Sequence, residues 1–343
     1  MTAIPAPRST RARGVLTWIS NLRAWLFLIF LLIFFEVWAE TIYGSSFVAN
    51  LYNWQSITVF ATAPLLLALG QTLVIISSGI DLSVGFTMGL SAVVAAHISN
   101  ICIDYAGLPP AAAAFLAILA GIGVSLVPGF VNGWLIAHLR VPPFIGTLGM
   151  YGVARGAAYL IAVGATVPIH NSAYTYIGNG RIGAVPVIVL ITALVVLATH
   201  YLLAQTRFGQ HTYAIGANRN AAVRAGIDWR KHTIKLYLLS AVSAGLAGAL
   251  YTGRFLAGAA QAGEPLLLDS IAAVVIGGAS LFGGSGTIAG TIAGSLVIAV
   301  IQYGLVFIDV EPFWQFVAVG VVIIISVLVD QSQRRLAGER EDG

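Results

Sequence analysis

The chain is poor in charged residues, in lysine and in cysteine. Only 9% of its 343 residues are charged, the lysines are Lys231 and Lys235, and the single cysteine is Cys102. One cysteine excludes an intrachain disulfide. A nucleotide-hydrolysing P-loop needs a lysine inside a glycine-rich turn, and neither lysine lies in one. The histidines are scattered without the close spacing of ligands, so no metal site is expected.

Hydrophobic residues are correspondingly abundant. They make up 58% of the chain, and the mean hydropathy is +0.91. A soluble domain has roughly a quarter of its residues charged, so this composition excludes an ordinary soluble fold. Apolar stretches separated by short polar loops cover nearly the whole length. We therefore expect an all-α membrane protein with one transmembrane domain.

A helix needs about 20 mostly apolar residues to cross a bilayer, and this criterion predicts about ten transmembrane helices. The eighth is short and ends in glycines, which indicates a broken or tilted helix. The predicted spans lie near residues 24-43, 55-77, 84-103, 110-137, 144-165, 185-204, 235-253, 268-282, 286-307 and 313-330.

The distribution of basic residues predicts the orientation of these spans. With a cytoplasmic N-terminus, 14 of the 17 Lys and Arg residues fall on the inner side and two, Arg181 and Arg254, fall outside. Such a bias places both termini in the cytoplasm. We expect a basic N-terminal segment at 1-23, a transmembrane domain at 24-330 with a cytoplasmic loop at 205-235, and a cytoplasmic tail at 331-343. The first span lacks a cleavage motif and is expected to be retained.

Several spans carry glycines four residues apart, a spacing that lets helix backbones touch. The pattern favours static helix packing, and a moving interface is the alternative. The predicted packing residues are Gly85 and Gly89, Gly152 and Gly156, and the ladder Gly286, Gly290 and Gly294.

A faint internal repeat links two of these regions at an offset of 201 residues. In each copy an apolar run is followed by a small or polar break and then a helix with Gly-x-x-x-Gly spacing. The copies lie around Ile75 to Gly89 and Ile276 to Gly290. Transporters are often built from such halves, with the interrupted helices beside the pathway.

The longest hydrophilic interruption is the 205-235 loop. Asn218 or Asn220 can cap a short helix over residues 221-225, and Gly226 is suited to end it in a left-handed turn. The surface of this helix fits two hypotheses equally: docking in a groove on a partner protein, or lying on anionic lipid headgroups. That surface consists of Ile215, Ala222, Val223 and Ile227, flanked by Arg219 and Arg224.

Two charges lie within or between predicted spans, where an unpaired ion is unfavourable. They are Asp81, in the break before the third span, and Arg155, about halfway along the fifth. Asp81, its neighbour Ser83 and Arg155 are therefore candidate pathway or gate residues. The alternative, favoured for Asp81, is that its carboxylate caps the third helix. Arg155 is expected to have a polar-interior role.

The predicted outer loops are polar and of mixed charge, so a partner with complementary charges could dock there. Water-facing loops are also polar without any such role. These loop residues are Asp104, His170, Asn171, Tyr174, Tyr176, Asn179, Arg181, Arg254, Glu264, Asp269, Asp309 and Glu311.

Four long blocks of the sequence occur in a specific order. They are G-Q-T-L-V-I-I-S-S-G-I-D-L-S-V-G (70-85), V-P-P-F-I-G-T-L-G-M (141-150) with A-R-G at 154-156, R-F-G-Q-H-T-Y-A-I-G-A-N-R-N-A-A-V-R-A-G-I (207-227) and L-D-S-I-A-A-V-V-I-G-G-A-S-L-F-G-G-S-G-T (268-287). These blocks resemble the ribose-type branch of the bacterial binding-protein-dependent permeases, and the similarity runs from about residue 50 to 330. A departure is Ser77-Ser78, where the family usually has a glycine pair or a Thr-Gly-Gly pattern.

The resemblance implies a type II ABC importer permease in the bacterial inner membrane, carrying a monosaccharide and surrounded by membrane lipid. It implies three protein partners: a second permease copy or paralogue, a cytoplasmic ATPase that binds the ATP, and a periplasmic sugar-binding protein. No nucleic acid or cofactor of its own is expected. The implied ATPase-coupling residues are Tyr213, Gly216, Asn218, Ala222, Arg224 and Gly226.

Three other functions fit the sequence less well. A branched-chain amino acid permease belongs to the same superfamily, but the I-D-L-S-V-G and V-P-P-F segments are closer to the sugar branch. An ion-coupled secondary transporter normally has several carboxylates at the membrane midplane, whereas Asp81 stands nearly alone. A membrane enzyme would need a clustered nucleophile, metal or acid-base pair, and no such cluster is visible.

Overall fold

The computed structural model of the protein describes residues 10–311 and 313–337, and most of that length is helical. Two small antiparallel strand pairs join β1 (Val167–Pro168) to β4 (Ala257–Gly258) and β2 (Arg181–Ile182) to β3 (Val185–Pro186). The helices are α1 (Thr10–Trp38), which continues as a π-helix over Ala39–Tyr43, α2 (Leu51–Ile76), α3 (Val84–Asp104), α4 (Pro110–His138), α5 (Pro143–Ile161), α6 (Ser172–Asn179), α7 (Val187–Gln205), α8 (Arg207–Ala217), α9 (Arg219–Arg224), α10 (Trp229–Phe255), α11 (Glu264–Ile276), α12 (Ile288–Phe307) and α13 (Phe313–Ala337).

Seven helices in the described part of the chain are long and apolar enough to cross a membrane: α1 from Arg23, α2, α3, α4, α7, α10 and α12. The eighth predicted span, α11, has only 13 residues. Within the described residues, α13 contributes the apolar stretch Phe313–Ile325. A helical membrane fold is thus confirmed, while the count of ten spans and the cytoplasmic termini stay predictions.

Helix α10 lies at the centre of the bundle, packed on α2, α3 and α4. Its glycines allow backbones to touch, because a Cβ on Gly248 would collide with the Met88 carbonyl oxygen. Because lipid gives no hydrophobic driving force for helix association, such close packing supplies the attraction between the helices instead. α10 begins earlier than the predicted residue 235, because Asp228 caps it by accepting the Lys231 N–H at 3.1 Å.

The two copies of the internal repeat form helix pairs, α2 with α3 and α11 with α12. Residues 77–83 interrupt the first pair and residues 277–287 the second, and we call these segments the first and second breaks. The breaks meet, since the Gly284 N–H donates to the Ile76 carbonyl oxygen at 2.8 Å. Deeper in the bundle, the Thr72 and Thr291 hydroxyls are 2.7 Å apart.

At the start of α3, two glycines lie against the backbone of the segment that precedes α11. A Cβ on Gly85 would collide with the Gly263 carbonyl oxygen, and one on Gly89 with that of Ala260. Further along α3, Gly258 in turn lies against the Ala92 backbone. Residues 257–263 therefore run along α3 as a re-entrant segment, rather than forming the outer loop that the sequence predicted.

The glycine ladder 286–290–294 divides into two parts. Gly290 and Gly294 lie on α12, where a Cβ would meet the carbonyl oxygens of Gly277 and Ala273. Gly286 is not on a helix: it lies in the second break with φ of 150°, a conformation that favours glycine. Its predicted role in helix packing is therefore wrong, because α12 begins only at Ile288.

Glycines of α5 do not follow the same pattern. No described atom comes within 4 Å of a Cβ built on Gly152 or Gly156, and the same is true of Gly149. The predicted Gly152–Gly156 packing face is therefore open within this chain.

Several residues predicted in exposed outer loops are buried instead. Asn171 caps α6 by accepting the Tyr174 N–H, and the Tyr174 hydroxyl donates to the Ala249 carbonyl oxygen at 2.7 Å. Asp269 lies on α11, where its carboxylate accepts from the Gln302 amide at 2.8 Å. Polar residues near the chain's loops therefore join elements of the fold as well as face water.

We predict that Gly89→Ala destabilises the protein by about 1–3 kcal/mol, because the added methyl group overpacks the contact with Ala260. Gly149→Ala is the matched control: it also lies on a helix, but its methyl group enters open space. Thermal unfolding midpoints of the two variants in detergent test this. Equal midpoints would contradict the packing argument.

Candidate functional site

The 205-235 loop is folded into α8, α9 and the first turns of α10. The Asn218 side chain caps α9 by accepting the Ala221 N–H at 2.9 Å. Gly226, with φ of 86°, ends α9, and its N–H donates to the Val223 carbonyl oxygen at 3.0 Å. At the start of α10, the hydrogen bond from the Lys231 N–H holds the pKa of Asp228 below its usual value, so this cap is charged at neutral pH.

Helix α8 was not predicted from the sequence, although it forms much of this site. It presents its buried side, including Thr212 and Ile215, to the bundle. A Cβ on Gly209 would collide with the Leu203 backbone, so α8 folds back tightly on the end of α7. The polar composition of the loop gave no indication of this helix. Gly209 was the residue in the sequence that could have indicated it.

The 205-235 loop contacts both breaks. Gly216 lies against the Ile76 carbonyl oxygen and the Gly284 nitrogen, where no side chain would fit. The Ser78 hydroxyl lies within hydrogen-bonding distance of two carbonyl oxygens, that of Gly216 at 3.0 Å and that of Phe282 at 2.8 Å. Gly216 and Ser78 thus hold the loop and both breaks in direct contact.

Tyr213 adds a second attachment. Its hydroxyl donates to the Gly286 carbonyl oxygen at 2.7 Å. Burial raises the pKa of Tyr213, so the phenol keeps its proton as a donor at physiological pH. The link joins α8 to the second break directly.

The predicted docking surface is divided by the fold. Ile215 and Ala222 are buried in the chain itself, so this half of the predicted apolar face is not available to a partner or a membrane. Val223 remains outward, with 45% of its surface exposed. Arg219 and Arg224 are also exposed, and the Arg219 guanidinium lies 4.4 Å from the centre of the Trp229 ring.

A cleft of about 490 Å³ opens beside this surface. It lies between the first break, the loop from α4 to α5 and the α8–α9 turn. Its lining includes Ser78, Arg140, Asn218, Arg219 and Trp229. The two arginines make the cleft basic.

Asp81 is buried and fully engaged by hydrogen bonds. Its carboxylate accepts from the Ser83 N–H at 3.1 Å and the Ser83 hydroxyl at 2.6 Å. The other carboxylate oxygen accepts from the Ser240 hydroxyl of α10 at 2.9 Å. The Asn132 amide of α4 donates to the Ser83 hydroxyl oxygen at 2.9 Å. Asp81 and Ser83 thus connect the first break to α4 and α10.

This geometry is a turn-type cap rather than a cap of the first helical turn. The Asp81 carboxylate bonds the residue that precedes α3, since α3 starts at Val84 and Ser83 makes no side-chain cap of its own. The Asp81 carbonyl oxygen also accepts from the Gln71 amide at 2.5 Å. The first break is therefore folded back against α2.

Arg155 lies apart from Asp81 and has different partners. Its guanidinium is 5.3 Å from the ring centre of Phe86 and 6.0 Å from that of Tyr159. The side chain is exposed on α5. The structure thus does not bring the two predicted gate charges together.

A neighbouring pair was missed by the sequence reasoning. The Tyr151 hydroxyl donates to Oε1 of Glu264 at 3.2 Å, which joins α5 to the start of α11. Glu264 was predicted in an outer loop because the re-entrant segment before it could not be recognised. One signal was available: Tyr151 precedes Arg155 by one helical turn and shares its face.

Within the described part of the chain, no group of three or more His, Cys, Asp or Glu residues could hold a metal ion.

Residues 53–327 match the family described as "Branched-chain amino acid transport system / permease component". The chain is 38% identical over 275 residues to a fructose import permease of Rhizobium meliloti, covering 78% of this chain and 74% of that protein. It is 37% identical to a ribose import permease of Escherichia coli K12, covering 78% and 82%. A xylose transport system permease of Haemophilus influenzae is 31% identical, covering 92% and 98%.

We predict that Asp81→Ala destabilises the protein by about 1–3 kcal/mol, because buried Ser83 and Ser240 donors lose their acceptor. Asp81→Asn keeps one accepting oxygen and should lose less. Asp104→Ala, at an exposed position on α3, is the control and should be neutral. Thermal unfolding in detergent measures all three, and a neutral Asp81→Ala would refute the bracing role.

Proposed function

The chain belongs to the family of branched-chain amino acid transport system permease components, and from that membership we propose that it carries a monosaccharide through the bacterial inner membrane. Single relatives named for fructose, ribose and xylose, each at least 31% identical over most of the chain, carry this proposal. The family description names amino acids, so a branched-chain amino acid is the alternative substrate.

The energy for import is supplied by a separate subunit in this proposal. The chain has two lysines, both between residues 230 and 236, and no glycine-rich turn surrounds either. A phosphate-cradling loop needs that lysine. An ATPase partner therefore binds the nucleotide, and the chain acts as the pathway.

The 205-235 loop is the proposed docking site of the ATPase. Exposed Val223 with Arg219 and Arg224 can meet an acidic-rimmed groove on a partner. Contacts of Gly216, Ser78 and Tyr213 with the two breaks support transmission of the partner's movement into α2, α3 and α12. Docking here thus acts on both halves of the repeat.

We propose ten membrane crossings with both termini in the cytoplasm, supported by the bias of Lys and Arg to one side. On this topology α6 and the β2–β3 pair lie outside, where a periplasmic binding protein would deliver the sugar. A second permease completes the pathway. The open glycines of α5 leave one helix face available for that partner or for the pathway itself.

For the predicted gate residues we propose two different roles. Asp81 and Ser83 are buried and mutually bonded, so they brace the first break. Arg155 is exposed at membrane depth, where an ion needs water or a polar partner. It is therefore the proposed pathway residue of the three.

We expect deletion of the gene to abolish uptake of one radiolabelled monosaccharide among ribose, fructose, galactose and xylose. The measurement uses cells that carry the complete importer, with leucine uptake as the control. Restored uptake from a plasmid copy should depend on the ATPase gene as well. Loss of leucine uptake with all sugars unaffected would instead support the amino acid alternative.

We predict that Arg224→Glu weakens co-purification of the ATPase at least tenfold, because loss of an interfacial charge pair costs about 2–5 kcal/mol. The unfolding midpoint should not change, since this side chain is exposed. Arg181→Glu, an exposed reversal on β2, is the matched control. Unchanged co-purification by Arg224→Glu would favour contact of α9 with lipid headgroups.

A further inference from the structure

Aromatic and charged side chains from α3, α5 and α11 meet at one place inside the bundle. We call Phe86, Tyr151, Arg155, Tyr159 and Glu264 the Tyr151 cluster. Phe86 is fully buried, while Tyr151 and Glu264 are partly exposed and Arg155 is exposed. The cluster lies outside the bonded network around Asp81.

The geometry within the cluster is specific. The Tyr151 ring stands at 88° to Phe86 with 4.7 Å between ring centres. Arg155 lies over Phe86, and the Tyr151 hydroxyl donates to Glu264. A cation and an anion thus lie at the same pair of aromatic rings, Arg155 over Phe86 and Glu264 at the Tyr151 hydroxyl.

The charged groups of this cluster have hydrogen-bonding capacity left over. Among the described residues, Arg155 donates no hydrogen bond, and only Oε1 of Glu264 accepts one from a side chain. Charged groups without hydrogen-bond partners are strongly unfavourable where they face lipid. This side of α5 must therefore face water, a solute or another protein.

The open glycines point to space beside the cluster. Gly152 and Gly156 of α5 flank Arg155, and no described atom lies within 4 Å of a Cβ built on either. Small residues next to an exposed charge leave room for a solute at the backbone. Leu194 on α7, which is 67% exposed, is by contrast an apolar position of the kind that lipid covers.

We propose that the Tyr151 cluster is a sugar-contacting constriction of the translocation pathway, a proposal that rests on the proposed function. The Arg155 guanidinium can donate hydrogen bonds to the hydroxyl groups of a neutral polyol, and the free carboxylate oxygen of Glu264 can accept hydrogen bonds from them. The aromatic rings offer apolar surface to its C–H faces. Such contacts favour transient binding of an uncharged, hydroxyl-rich solute.

The constriction is connected to the first break. Glu264 begins α11 directly after Gly263, and Gly263 lies against the Gly85 carbonyl oxygen in the first turn of α3. A shift of α3 therefore moves Glu264 relative to Tyr151. Opening and closing of the Tyr151–Glu264 hydrogen bond follows from movement at the break.

Uptake by cells carrying the complete importer tests the contact. We expect Tyr151→Phe, which keeps the ring packing, to lower the rate of sugar uptake about 3- to 10-fold, the effect of one lost hydrogen bond. Arg155→Gln should lower it at least as much. Tyr176→Phe, at an exposed tyrosine of α6, is the matched control. Wild-type uptake by both cluster variants would overturn the proposal.

Thiol labelling gives a measurement that would not change if the Tyr151 cluster had a purely structural role. In a Cys102→Ala background, Arg155→Cys should react with a membrane-impermeant thiol reagent several-fold faster than Leu194→Cys. The imported sugar, supplied with the binding protein and ATP, should slow that reaction. No difference between the two positions would overturn the proposal and leave lipid or the second permease facing α5.

The two experiments separate this proposal from the proposed function. If the wild-type importer carries no monosaccharide, the proposed function fails, yet labelling of Arg155→Cys still reports whether the cluster faces water. If sugar is imported but neither rate nor labelling depends on the cluster, only the constriction is refuted.

Discussion

The hydrogen bond from the Gly284 N–H to the Ile76 carbonyl oxygen is the contact on which the arrangement of the two repeat halves depends. It satisfies a carbonyl at the end of α2, where the helix itself provides no partner. Gly216 packs on the same two atoms, so a third element is added without displacing either. Both breaks and the 205-235 loop consequently share one point of contact. Glycines at this point make the close approach of the backbones possible.

Much of this fold could be predicted from the sequence, and the predictions that failed have a common cause. Local signals predict a short helix at 221-225, capped by Asn218 or Asn220 and ended by Gly226. The structure has this helix at Arg219–Arg224 with Asn218 as its cap. The sequence misplaced Glu264, because polar residues in a membrane protein suggest a loop unless a re-entrant segment is recognised. Gly152 was predicted to pack because glycine spacing says nothing about which surface a helix meets.

Asp81 and Arg155 both need polar surroundings, and the fold treats them differently. Asp81 is surrounded by donors from the first break and α10, so its carboxyl group is accommodated by hydrogen bonds within the chain itself. Arg155 is left with aromatic rings and open space, so its charge must be accommodated by something else. The sequence favours a capping role for Asp81 and a polar-interior role for Arg155. It could not give their partners Ser240 and Phe86, because these are tertiary contacts.

Contact between backbones at Gly85 and Gly89 has a mechanical consequence. Interlocked side chains can change rotamer and absorb part of a displacement, whereas a glycine Cα against a carbonyl oxygen has no such freedom. The re-entrant segment and α3 should therefore behave as a stiff lever. A small rotation near the breaks would reach the far end of that lever with little loss of amplitude.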